Sequence, residues 1–129
     1  ALWRRMPLLT LSVRRVMPSL VTDDMVQAAL DALSIESAAR AGKAKADEVR
    51  ASEAVKTTFA KLRHSSKGNT VAEREDWARQ QPEYQEAVEA YADAAGRLEY
   101  YRDRKTKAEA ILSAWQTECS NERASRRMT

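Results

Sequence analysis

From Thr22 to Arg63, apolar or small residues recur at Val26, Leu30, Leu33, Ser37, Ala44, Ala51, Val55, Thr58 and Leu62. The steps are mostly of three and four residues, with breaks near Arg40 and Glu48. That spacing keeps one stripe of a helix turned toward a partner. Thr22, Asp23 and Asp24 precede the stripe and suit a helix start, where a side-chain oxygen caps an amide and acids meet the positive dipole end. The middle of the stripe is mostly alanine, which lets a second helix come close or leaves room for its large side chains.

A second stripe runs from Pro82 to about Arg123. It carries Tyr84, Val88, Tyr91, Ala95 and Leu98, then, after a one-residue change of phase, Tyr101, Lys105, Ala108, Leu112, Trp115 and Cys119. The segment has no internal proline, one glycine (Gly96), and a proline preset for its first turn. About 42 residues at 1.5 Å each make a rod of roughly 60 Å. A rod of that length in a small chain needs a partner of similar length, and residues 22–63 supply one.

Between the rods, Arg63 to Asn69 (RHSSKGN) reads as a breaker, with Gly68-Asn69 ending the first helix. Thr70 and Glu73 form a T-x-x-E capping box that opens a short helix, Val71 to about Gln80. Trp77, its one large aromatic residue, is expected to pack back across the tip. Pro82 disfavours helical geometry at Gln81 and places a bend there. The fold predicted is all-α: a long antiparallel helical hairpin, coiled-coil-like, with a short helix at the tip. Its register sets Leu62 opposite Tyr84, Val55 opposite Tyr91, Ala51 opposite Ala95 and Ala46 opposite Tyr100. Leu33 then meets Leu112 or Ile111, and Leu30 meets Trp115.

Flanking the hairpin domain, 22–123, are an irregular basic extension, 1–21, and a frayed basic tail, 124–129. Leu9 to Val13 alternates like a strand, but no other stretch offers it a ladder partner. The first residues place arginines before an apolar patch as a signal peptide does. Arg14 and Arg15 interrupt that patch and no small-residue cleavage site follows. Met17 reads well as a start before a capped helix, leaving 1–16 as an upstream extension.

Charge changes the picture more than composition does. Net charge is only +3. The extension holds Arg4, Arg5, Arg14 and Arg15 without an acid, and the tail region holds Arg123, Arg126 and Arg127. An antiparallel hairpin gathers both groups at one pole. The surplus acids Glu83, Glu86, Glu89 and Asp93 fall near the tip. Midway, Arg102, Arg104, Lys105 and Lys107 fall beside Arg40, Lys43 and Lys45 and form a cationic belt. Such a belt suits a phosphate backbone or an acidic protein. The competing reading is a solvated face laced with ion pairs such as Glu99 with Arg102. Tyr100 and Tyr101 lie within the belt and could stack on bases, although their spacing also fits the seam.

No chemistry is evident. His64 is the only histidine, and Cys119 falls on the seam as a small apolar residue. Glu83, Glu86 and Glu89 have roughly helical spacing, but no carboxylate or histidine set on another helix completes a metal site. The chain holds no glycine-rich phosphate loop, nucleophile elbow or EF-hand loop. A non-enzymatic protein without metal or cofactor is expected. No run of eighteen apolar residues exists to span a membrane. The single cysteine fits a reducing, cytoplasmic setting.

The C-terminal half resembles the small coil-containing proteins that bacteriophages encode near recombination and replication genes. The residues carrying the likeness are Tyr84 to Val88, Tyr100-Tyr101-Arg102, and Ala114 to Asn121. The resemblance implies a small accessory factor, of a kind that inhibits a host nuclease or defence machine or assists strand annealing. The leading expectation is therefore a helical binding protein that docks on a protein or nucleoprotein complex. Direct nucleic-acid binding through the basic pole is a second reading. A homodimer in which two hairpins form a four-helix bundle is a third.

Overall fold

The structure is a computed structural model and describes residues 20–128. Leu9 to Val13, Met17 and the arginines at 4, 5, 14 and 15 lie outside the described residues. Four helices and no strand are present among the described residues, and the all-α hairpin is the fold. The helices are α1 (Asp23–Ala32), α2 (Ile35–Ser65), α3 (Val71–Gln80) and α4 (Pro82–Arg127).

The first arm is two helices rather than the single one predicted. Thr22 caps α1, its Oγ1 accepting from the Met25 amide at 3.2 Å. The chain leaves the helix at Leu33, and Ser34 begins a new one, its Oγ accepting from the Ser37 amide at 3.2 Å. A serine inside a helical pattern offers the backbone an alternative bond, and here that alternative wins. Periodicity does not reveal the break because the apolar spacing continues across it.

At the far end α2 runs to Ser65, two residues beyond the predicted end, with Ser66 in extended geometry as its cap. No residue of the turn adopts a positive φ. Gly68 is needed instead for close approach: a Cβ there would meet Glu73 Cβ at 3.0 Å and the Arg74 nitrogen at 3.2 Å. Its carbonyl accepts from Arg74 Nε at 2.8 Å. The capping box forms with a variation. Thr70 Oγ1 accepts from the Glu73 amide at 3.2 Å, while Glu73 reaches back to the Asn69 amide at 3.0 Å rather than to that of Thr70. Gln81 is extended and Pro82 opens α4, as its ring requires.

α4 has 46 residues and is about 69 Å long. It continues through Arg127, so the tail expected to fray is helical. Arg126 bonds Glu122 one turn back at 2.6 Å, and Arg126 and Arg127 meet the negative end of the helix dipole.

α4 packs along both α1 and α2, and α3 folds against the end of α2. The core is thin and made largely of alanine. Ala29, Ala32 and Ala108 form its cluster, with Ile111 and Leu112 against it. Ser37, Ala44, Ala94 and Leu98 are buried further along. Of the predicted seam, Ser37, Ala44, Leu98 and Ala108 are buried. Leu30, Leu33, Val88, Tyr91 and Trp115 keep more than a third of their surface in water. Alanine contacts draw the helices together, and the larger side chains are displaced to the margins.

The observed contacts fall about three to six residues earlier on the first arm than the predicted register. Tyr84 meets Phe59, three residues before the Leu62 expected opposite it, with ring centroids 5.7 Å apart. Arg104 reaches Ser37 at 3.5 Å. On α3 the buried residue is Ala78, fully enclosed, whereas Trp77 stays 39% exposed. A methyl group lets α3 come close to α2; an indole in that place would hold it off.

Candidate docking surface

The midpoint of the hairpin is shaped by the break in the first arm. Where α1 ends and α2 begins, α4 passes behind them, and a groove opens on each side. One groove, of about 360 Å³, is lined by Ala32, Leu33, Ser34, Ala38, Tyr101 and Lys105, among others. The other, of about 270 Å³, is lined by Ala28, Asp31, Ala32, Arg104, Lys107 and Ile111, among others. Both have apolar floors with cations at the rim, because alanines on the first arm face the basic stretch of α4.

The predicted belt is thus divided. Arg104 and Lys107 lie on one flank, and Lys105 with Tyr101 on the other. Several members are tied within their own helices: Lys45 pairs with Glu48 at 3.1 Å and Arg102 with Glu99 at 2.9 Å. Arg104 is half-buried and donates to Ser37 Oγ. Arg40, Lys43, Lys105 and Lys107 are exposed and make no ion pair with any described residue. Two of the belt's members belong to a laced face, and four are cations with no ion pair among the described residues.

The basic pole is less open. Arg123 Nε donates to the Cys119 carbonyl at 3.4 Å, and Arg126 is paired with Glu122. Only Arg123, Arg126 and Arg127 of the predicted pole fall within the described residues, and Asp23 and Asp24 open α1 at the same end. Tyr100 and Tyr101 touch edge to face at 5.3 Å, with Tyr100 61% exposed and Tyr101 half-buried. Only Tyr101 behaves as the seam residue its spacing suggested. Cys119 is half-buried with a free thiol.

Among the described residues, no three metal-ligating side chains converge and no helix is long and apolar enough to cross a membrane. Ser34, which caps α2 and lines one groove, does not stand out in the sequence pattern. A serine between two hydrophobic positions, followed by an acid two residues on, is the signal that could have found it.

No family model, curated protein or solved structure matches the chain.

Proposed function

We propose that the protein is a non-catalytic binding module whose midpoint docks an acidic, partly apolar segment of a protein or nucleoprotein complex. One observation carries this reading: Arg40, Lys43 and Lys105 are exposed cations with no ion pair among the described residues; Lys105 lines a groove floored by alanine and leucine, and Arg40 and Lys43 lie within two residues of its Ala38 and Ala41. Unpaired cations close to apolar surface select a partner carrying both acids and hydrophobic groups. An accessory role in a phage recombination or replication module, as an inhibitor of a nuclease or defence machine, is the setting its C-terminal resemblance implies.

The test compares capture from a bacterial lysate by the wild type and by the Arg40→Ala, Lys43→Ala, Lys105→Ala variant. The reading expects acidic proteins on the wild type that are lost in the variant and in raised salt. The same proteins bound equally by both would overturn it. Direct nucleic-acid binding has its own readout. A labelled oligonucleotide should then bind with an affinity falling steeply with salt, in proportion to the phosphates contacted.

A further inference from the structure

Along one flank of α4 runs a second stripe, in which Arg104 also bonds the first arm at Ser37. Glu83, Glu86, Ala90, Asp93, Arg97, Tyr100, Arg104 and Lys107 follow one another at steps of three and four residues. That is heptad spacing, so these residues lie along one side of the helix. All are exposed except Arg104, which is half-buried.

The order of charge along the stripe is the informative feature. Its first half carries three acids and no base; its second half carries three bases and no acid. Reversed and laid against itself about a point between Asp93 and Arg97, the stripe matches at every position. Glu83 meets Lys107, Glu86 meets Arg104, Ala90 meets Tyr100, and Asp93 meets Arg97. Each pair joins an a position to a d position, as the layers of an antiparallel coiled coil require. The one uncharged pair sets a small residue against a large one. A parallel arrangement would place like charges together.

Glu83, Glu86, Asp93, Arg97 and Lys107 make no ion pair with a described residue, although many charges of α2 and α3 are paired. At the centre of symmetry, Ala92, Asp93, Gly96, Arg97 and Tyr100 line a shallow depression. A Cβ on Gly96 would meet nothing within 4 Å, so the backbone there is open to close approach.

We propose that α4 is a self-association surface and that its occupant is a second copy of this chain. The two copies lie antiparallel, related by a two-fold axis near residue 95, with matched charges over about 36 Å of helix. The contact is isologous: each copy gives its acidic half to the basic half of the other. It uses Arg104 and Lys107 and leaves Arg40, Lys43 and Lys105 to the binding role proposed above, on which it does not depend.

Sedimentation of the full chain at 50 mM salt tests this. The expected species has twice the 14.5 kDa chain mass at tens of micromolar, and its dissociation constant rises at least about tenfold at 500 mM salt. Glu83→Lys, Glu86→Lys, Asp93→Lys in one variant and Arg97→Glu, Arg104→Glu, Lys107→Glu in another should each give monomers of unchanged helix content. Mixed, they should associate. A spin label at Gln85→Cys on a Cys119→Ser background should lie about 30 Å from its twin, since antiparallel pairing sets residue 85 opposite residue 105. A wild-type monomer at low salt, a dimer untouched by both variants, or labels within about 15 Å, as parallel helices would place them, would overturn the proposal.

Discussion

Phe59 and Tyr84 meet with ring centroids 5.7 Å apart and planes inclined at 53°, joining the end of the first arm to the start of the second. The guanidinium carbons of Arg63 and Arg79 lie 5.8 and 5.4 Å from the Phe59 ring centre. Arg63 also reaches Glu75 of α3 at 3.8 Å. One phenyl ring therefore touches α4 directly and draws α3 in through its arginine. Phe59→Ala should cost about 2 kcal/mol, less than for a fully buried phenylalanine because the site is half open. Urea unfolding measures the loss, and hydrogen exchange should show α3 amides losing protection before those of α1.

Two glycines should answer an added methyl group in opposite senses. Gly42 lies inside α2, and a methyl group placed on its Cα would meet nothing within 4 Å, so Gly42→Ala should stabilise by about 1 kcal/mol. At Gly68 the same change forces Cβ against backbone and side chain of α3, and Gly68→Ala should destabilise by about 1 kcal/mol or more. Thermal denaturation of the two variants shows whether the signs differ.

Much of the architecture is legible because long helices state their period many times over. Thr22, Thr70 with Glu73, and Pro82 mark their helix starts correctly, since each works through local bonds that a short stretch encodes. The register read from the pattern lies one to two turns away from the observed one. It depends on which side chains yield at the contact, and alanines, with little shape, fix it weakly in sequence. The belt residues are identifiable as a group, and their division between two flanks follows from their angular positions on α4; what the pattern does not show is the break at Ser34. That break rests on one hydroxyl competing with a helix that periodicity would have continued.

Removing that hydroxyl tests its role. Ser34→Ala leaves the Ser37 amide without its cap and should cost about 1 kcal/mol. Ser37 also receives Arg104, so the groove beside Lys105 should change shape with it. The amide resonances of residues 33–38 should shift strongly, while those of α3, at the far end, stay in place.

The pairing of the two arms underlies every placement above, and a cross-link tests it most directly. Ala32 and Ala108 share one buried cluster. With Cys119→Ser as background, Ala32→Cys with Ala108→Cys should form an intrachain disulfide under mild oxidation, seen as a faster-migrating monomer that reverts on reduction. Ala51→Cys with Ala95→Cys, a pair that the sequence register sets opposite, should cross-link far more slowly. Rapid closure of the second pair, with none of the first, would contradict the account.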